Sequence, residues 1–221
     1  RYDIGDIRIS SFTGSGRYRI RLTSAFAEGS YIGSAPLNSF AKDLAGITLK
    51  KELPAIAADS LYRWGNANYE LSFKTHDTMD LLAFCVPGLY IADGTSLKAD
   101  IDRSGTFNAK LVSQRIAFNE HYIKDVDFEA SNAYDAITGE IRGESVYLAT
   151  IMMKNSSFKI LVNDNHIGVE YSYDNQDLLG NRGEFVAVGD IGRNDTGLPV
   201  YDIRLLPSSV YLNSRQWNIY P

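Results

Sequence analysis

Apolar and polar residues alternate along most of this chain. In the segment RYRIRLT, Tyr18, Ile20 and Leu22 alternate with arginines. Successive side chains of a strand point to opposite faces, so this alternation predicts a strand with one apolar and one polar face. The same pattern recurs at 96–102, 105–113, 157–163, 168–173, 183–191 and 200–206. The chain is therefore predicted to be mostly β.

Short polar segments separate the predicted strands. DRSG, NDN and GRNDTG consist of residues that favour tight turns. Strands joined by tight turns pair antiparallel, and an antiparallel sheet often buries one face while water covers the other. We therefore expect one long antiparallel sheet whose polar face carries Arg17, Arg19 and Arg21.

Two segments depart from this alternation and predict short helices. Leucine and phenylalanine at three- to four-residue spacing, with Pro36 before them, predict a helix over about 37–45 and a further one near 47–52. The segment 76–88 predicts a second helix, capped by Asp77 or Thr78 and ended by a Pro-Gly pair. Both helices are expected to cover an end or an edge of the sheet.

Composition and charge argue against nucleic-acid binding. The 221 residues carry a net charge of -5, and such a chain repels phosphate backbones unless it has a strong basic patch. Three arginines on one strand face, with Asp3, Asp6 and Glu28 nearby in sequence, do not form such a patch. The single cysteine excludes a disulfide within the chain. No apolar run is long enough for a membrane-spanning helix.

The residues that usually carry catalysis form no convincing motif. Cys85 lies among apolar residues, which predicts a small buried side chain rather than a nucleophile. Three scattered histidines lack metal-ligand spacing, so no metal is expected. Carboxylate pairs suited to glycoside hydrolysis occur in strands and turns, where solvated side chains are the simpler interpretation: Asp125 with Asp127, and Glu140 with Glu144. We therefore expect neither an enzyme nor a cofactor.

Several stretches resemble the TamB/AsmA-like family in its Bacteroidetes-type form. Residues 81–128 contain a short helix, a Pro-Gly pair, a strand with GT, a G-x-F-x-A-x-L segment and an I-x-D-V segment. Residues 180–221 resemble the end of a strand block of that family, and the strands and helix near the start also fit it. The fixed points of the later stretch are Ser209, Leu212, Trp217 and Ile219.

The resemblance implies a periplasmic bridge between the inner and outer membranes. In that family a sheet curls into an open apolar trough, called a β-taco, which carries phospholipid and supports outer-membrane protein assembly. The implied partners are phospholipid and a TamA/BamA-like barrel protein, and the full-length protein would be anchored in the inner membrane. Residues 1–221 would be one β-rich region cut from a longer protein, with strands and a helix in 1–75, a short helix in 76–88 and a strand array in 89–221.

The apolar face of the predicted strands would line this lipid trough. Each CH₂ group removed from water contributes roughly 0.8 kcal/mol, so an acyl chain needs such shielding between membranes. The expected lining residues are Tyr18, Ile20, Leu22, Leu97, Ile101, Phe107, Ala109, Leu111, Phe158, Ile160, Val162, Phe185, Ala187, Ile203 and Leu205.

Two other interpretations remain open from the sequence. The same apolar residues could fill the closed core of a β-sandwich that binds a glycan or another ligand, and an enzyme on a jelly-roll scaffold ranks after it. Exposed aromatic residues would serve a glycan-binding face, and the candidates are Tyr122, Tyr134, Tyr147, Tyr201 and Tyr211.

Overall fold

A computed structural model describes residues 5–57 and 66–220, which form one open antiparallel sheet and two helices. The mostly-β prediction is confirmed: fifteen strands belong to a single sheet that does not close into a barrel. The described residues therefore form no two-sheet sandwich.

The first part of the sheet alternates with the helices. Its elements are β1 (Ile7–Gly14), β2 (Arg17–Ser24), β3 (Ala27–Gly33), α1 (Leu37–Glu52), β4 (Tyr69–Thr75), α2 (Met79–Cys85), β5 (Leu89–Ile91) and β6 (Ser96–Ile101). The second part contains strands alone. These are β7 (Phe107–Phe118), β8 (His121–Ser131), β9 (Ile137–Leu148), β10 (Ile151–Asn163), β11 (His166–Asp174), β12 (Arg182–Arg193), β13 (Pro199–Leu205), β14 (Ser208–Leu212) and β15 (Arg215–Ile219).

Nearly every strand pairs with its neighbour in sequence. The order runs β1-β2-β3-β4-β6-β7-β8-β9-β10-β11-β12-β14-β15, with β5 beside β7 and β13 beside β12. Tight reversals make this possible, because left-handed residues such as Asn119 and Asn165 turn the chain back on itself. We call the side with the β7–β8, β9–β10, β11–β12 and β14–β15 reversals the upper edge. The lower edge carries β6–β7, β8–β9, β10–β11 and β12–β13.

Helix α1 confirms the helical prediction for 37–45 and for 47–52, but the two segments form one continuous helix without the predicted break. The helix continues through Gly46, a residue that costs about 1 kcal/mol in a helix interior relative to alanine. Tertiary packing offsets this cost, because Phe40, Leu44 and Ile47 all contact the core of the sheet. Sequence spacing alone does not reveal that contact.

Helix α2 confirms the predicted short helix within 76–88. Thr78 occupies the N-cap position but its side chain makes no cap hydrogen bond. The Thr78 hydroxyl instead donates to the carbonyl of Ile91, 3.0 Å away, and so ties the helix to β5. Cys85 at the end of α2 is exposed, so the prediction of a buried thiol was wrong. The helix has too few residues to bury both of its sides.

The core lies between α1 and the first strands of the sheet. Its buried members are Tyr31, Ile47, Ala67, Tyr69, Ile101 and Phe107. The ring of Phe40 meets that of Tyr69 edge-on, with the centroids 5.5 Å apart. The Tyr69 hydroxyl donates to the buried carboxylate of Asp43, which gives this polar group of the helix a partner.

The chain that follows α1 is anchored on the far half of the sheet. The backbone N–H of Asn165 donates to the carbonyl of Glu52 at 2.7 Å. The side chain of Asn165 accepts from the N–H of Ala55 at 2.6 Å, and Arg193 donates to the carbonyl of Ala57 at 2.8 Å. Helix α1 therefore crosses the lower part of one sheet face, from β3 and β4 to the β10–β11 reversal.

Candidate functional site

Strand register places all fifteen predicted lining residues on the same face of the sheet. Cross-strand partners share a face, and the pairs Leu97↔Leu111 and Phe185↔Tyr171 illustrate the series. We call this face the apolar face and the opposite one the polar face. Arg17, Arg19 and Arg21 alternate with the apolar residues of β2 and so lie on the polar face.

The fifteen residues differ in how accessible they are. Ile101, Phe107 and Val162 are buried, with 1%, 7% and 5% of their surface exposed, so they serve the core rather than an accessible lining. Tyr18 and Ile20 pack against the core under α1. The others are half-buried or exposed: Leu22, Leu97, Ala109, Leu111, Phe158, Ile160, Phe185, Ala187, Ile203 and Leu205.

One row of large apolar side chains crosses ten strands without a polar interruption. We call it the apolar stripe. In order across the sheet it consists of Leu22, Phe73, Leu97, Leu111, Phe128, Ile141, Phe158, Tyr171 and Phe185, with Gly29 between the first two. Nine strand spacings of about 4.8 Å make the stripe about 43 Å long. Helix α1 does not cover it: Phe73, Ile141 and Phe158 are 37–38% exposed.

Four stripe residues were absent from the predicted lining, namely Phe73, Phe128, Ile141 and Tyr171. Phe73 and Phe128 lie in strands that alternate as clearly as β2, so the same pattern would have found them. In β9 the alternation is weaker, because Gly139 and Gly143 take apolar-face positions beside Ile141.

A row of small residues borders the stripe on the side of α1. Ala99, Ala109, Ala130 and Gly139 are register partners on β6 to β9. Larger side chains stand on both sides of them, in the stripe and in the core row, so they form a shallow furrow about 14 Å long. Ile160 closes one end, because a Cβ on Gly139 would lie 2.9 Å from its Cγ2 atom.

Two left-handed residues inside strands shift the alternation above the stripe. Asp125 in β8 and Asn155 in β10 have φ of 48° and 46°. The Tyr171 hydroxyl is 3.4 Å from Ser156 Oγ and 3.0 Å from Met153 Sδ, so both side chains lie on the apolar face. Residues three positions apart in a regular strand would lie on opposite faces, so the alternation changes between them, at Asn155. The apolar face therefore continues toward the upper edge through Met153 and its register partners. These are Ile116, Ile123 and Val146.

The polar face holds a groove of about 710 Å³ that extends from β6 to β12. A row of charged side chains lines it, with ion pairs between Lys110 and Glu129 at 2.5 Å and between Lys159 and Glu170 at 2.8 Å. The hydrogen bond from Arg142 is the largest of the causes that bring the pKa of Glu140 down to about 2. From β6 to β11 the polar face therefore carries paired opposite charges, and Leu161, Val186 and Val188 add apolar side chains to the same groove.

The catalytic candidates from the sequence do not come together. Within residues 5–57 and 66–220, no group of three or more histidine, cysteine, aspartate or glutamate residues is placed to hold a metal ion. Of the carboxylate pairs, Glu140 is bound to Arg142, and Asp125 lies against Glu144 instead of forming a pair with Asp127. The hydrogen bond and charge of Asp125 raise the pKa of Glu144.

The aromatic candidates for a glycan site are also dispersed. Tyr122 and Tyr147 stack with ring centroids 5.4 Å apart near the upper edge. Tyr134 lies on the β8–β9 reversal at the lower edge, and Tyr201 and Tyr211 lie on β13 and β14. They form no single flat patch.

Comparisons with protein-family models, curated proteins and solved structures find no match for this chain. Among the described residues, neither helix has the length and apolar character needed to cross a bilayer.

Proposed function

We propose that this chain is a non-enzymatic segment of a periplasmic bridge that carries phospholipid between the inner and outer membranes. The observation that supports the proposal is the apolar stripe, which continues across ten strands and stays partly exposed. A lipid moving through water needs a continuous apolar track, because each exposed CH₂ group costs roughly 0.8 kcal/mol.

The direction of the stripe suits transport along the molecule. It runs across the strands and therefore along the long axis of the sheet. At one end, Ile9 of β1 pairs with Leu22; at the other, Leu205 and Ile203 of β13 lie on the same face beside β12. All three of these side chains are exposed, so neither end of the stripe is capped by another described element.

The furrow beside the stripe offers a place for one acyl chain. Ala99, Ala109 and Ala130 leave room above the backbone, and Leu97 and Leu111 of the stripe form one wall. The polar face stays in water, as its charged rows require. The lipid headgroup would then point away from the sheet while the acyl chain lies along it.

The resemblance to the TamB/AsmA-like family supports the cellular part of the proposal. The full-length protein would be anchored in the inner membrane and would work with a TamA/BamA-like barrel protein in outer-membrane assembly. Neither a cofactor nor a metal takes part in this function.

Photo-crosslinking in cells tests the proposal. A photoreactive residue replaces Phe158 of the stripe in the full-length protein, and the matched control replaces the neighbouring Lys159 of the polar face. We expect crosslinked phospholipid from position 158 and none from position 159. Equal labelling at both positions, or capture only of the protein's own strands at 158, would contradict a lipid track. Phe107 is unsuitable as a probe because it is buried in the core.

A further inference from the structure

The upper edge of the sheet carries exposed apolar side chains at each of its four reversals from β7 to β15. They are Phe118 at β7–β8, Leu148 and Ile151 at β9–β10, Leu178 and Leu179 at β11–β12, and Leu212 at β14–β15. Each is at least 45% exposed, and Leu178 is fully exposed. Apolar side chains at successive tips are unusual, since such reversals are normally polar.

The lower edge shows the contrasting composition. Its β6–β7 reversal is DRSGT and its β10–β11 reversal is DN, flanked by asparagine and histidine. Tyr134 and Leu198 are the exposed large apolar side chains of the four reversals there. Because both edges belong to one sheet, the difference lies in the reversals and is not a general property of the strands.

Tyrosine–cation pairs lie directly behind the apolar tips. The guanidinium of Arg115 lies 4.6 Å from the ring centroid of Tyr122, and that of Arg182 lies 4.6 Å from the ring centroid of Tyr211. Lys124 also faces Tyr122, at 5.6 Å. Tyrosines and cations behind an apolar rim are typical of proteins that sit in the interface of a bilayer.

We propose that the upper edge docks on a phospholipid bilayer and inserts its apolar tips below the headgroups. The tips stand on separate reversals along about 29 Å of the edge, counted as six strand spacings from β7 to β14. A flat, fluid surface accepts several separate projections, whereas a protein partner would need a matching pocket for each.

The charge of this edge indicates which bilayer it suits. Its cations from β7 to β15 are Arg115, Lys124, Lys154, Arg182 and Arg215; its carboxylates are Glu120, Asp125, Glu144, Asp174, Asp177 and Glu184. Five cations and six carboxylates nearly cancel. Docking therefore depends on insertion of the apolar side chains and suits a bilayer of zwitterionic phospholipid. Anionic lipid should increase the binding affinity only slightly.

Docking would bring the bilayer next to the apolar stripe. Ile116, Ile123, Val146 and Met153 connect the tips with the stripe on the same face. The inference nevertheless rests on the edge alone and does not require that the stripe carries lipid.

Vesicle flotation of the 221-residue chain tests the inference. Vesicles of phosphatidylcholine alone are compared with vesicles containing one quarter phosphatidylglycerol. We expect binding to both, with less than about threefold difference between them. The double variant Leu148→Ser/Ile151→Ser should bind roughly tenfold more weakly, and the lower-edge control Tyr134→Ser/Leu198→Ser should bind as the unmodified chain does.

Three results would overturn the inference. The unmodified chain fails to float with either vesicle; both double variants lose binding equally; or the upper-edge variant changes only the oligomeric state in sedimentation, which would mean that a second copy covers the tips. Circular dichroism confirms that each variant is folded. Crosslinking at position 158 is a separate readout, so docking and lipid carriage succeed or fail independently.

Discussion

Tyr31 shows how a single buried side chain makes stability depend on pH. Its hydroxyl donates to the carbonyl of Ala35, and only 2% of the residue is exposed. Burial, followed by the charge of Asp43 and the neighbouring Tyr18, raises the pKa of Tyr31 to about 12. Burial also raises the pKa of Tyr69, which donates to Asp43.

We expect the free energy of unfolding to fall as pH rises from about 10 to about 12. The folded state favours the neutral phenol of Tyr31, because its pKa is higher there than in the unfolded chain. The contribution of Tyr31 to the free energy of unfolding is therefore complete below the ordinary pKa of about 10, and it is lost as pH rises through the folded-state pKa. Denaturant melts across this range measure the effect. The variant Tyr31→Phe should show a shallower decline, and an equally steep decline would assign the effect to other groups.

A second prediction at the residue scale separates the core from the stripe. Phe107→Asp places an unpaired charge among buried side chains and should cost at least about 4 kcal/mol of stability. Phe158→Asp, at a residue 38% exposed, should cost about 1 kcal/mol while abolishing lipid crosslinking from a neighbouring stripe position. Urea melts of both variants give the comparison. Similar losses at the two positions would mean that the stripe is closed in solution.

At the element scale, the left-handed residue in β8 determines which side chains reach the upper edge on the apolar face. Without the shift at Asp125, strict alternation would place Lys124 rather than Ile123 beside Val126. Ile123 instead lies against Gly143, and a Cβ added to Gly143 would lie 2.7 Å from the Cγ1 atom of Ile123. One backbone conformation thus extends the apolar face by several residues.

Asp125→Val should therefore destabilise the sheet by about 1–2 kcal/mol relative to Asp125→Asn. Asparagine tolerates the left-handed region, whereas a β-branched residue is strained there. The asparagine control also removes the charge of Asp125, which after the hydrogen bond between the two side chains raises the pKa of Glu144. Equal stability of the two variants would show that the strand is not left-handed at this position.

The anchorage of α1 gives another prediction at this scale. Asn165→Gly keeps the left-handed backbone but removes the oxygen that accepts from Ala55. We expect a loss of about 1 kcal/mol and faster amide exchange in residues 53–57. The matched control is Asn213→Gly, a left-handed residue at the upper edge, which should leave that exchange unchanged. Faster exchange in both variants would point to a general loss of stability.

Local patterns predicted seven of the fifteen described strands and their faces, because alternation depends only on neighbours in sequence. These strands are β2, β6, β7, β10, β11, β12 and β13. They did not predict the covering of Ile101 and Phe107, which requires knowing that α1 lies across those strands. Nor did they predict the change of alternation at Asp125, because the sequence does not distinguish a left-handed aspartate from any other polar strand residue. The exposure of Cys85 was also missed, because no second element covers the outer side of the short helix α2.

At the scale of the whole molecule, an open sheet leaves unpaired backbone groups at its ends. Among the described residues, β1 pairs with β2 alone, and Ile7, Ile9 and Phe12 are each more than half exposed there. Edge strands of this kind pair with other chains unless charge or shape prevents it. We expect the chain to self-associate as its concentration rises.

Ile9→Lys should shift this association to higher concentration, because a charge on an edge strand opposes pairing with another edge. Ile32→Lys is the control, since Ile32 is also exposed but lies on β3 between paired strands. Sedimentation velocity over a concentration series measures the difference. If both variants associate like the unmodified chain, the β1 edge is not the contact.

The strand order has a consequence for how such a molecule changes in length. Each strand contacts chiefly the strands before and after it in sequence, so a hairpin inserted or deleted beyond β12 leaves the other strand pairs intact. A hairpin inserted between β3 and β12 would instead displace the contacts of α1 and of the chain that follows it. An inserted hairpin consists of two antiparallel strands, so the chain leaves it at the same edge of the sheet at which it entered. The two strands add about 10 Å to the sheet in the direction across the strands. Duplication of a hairpin at that end would therefore lengthen the sheet in steps of two strands and leave the core under α1 unchanged.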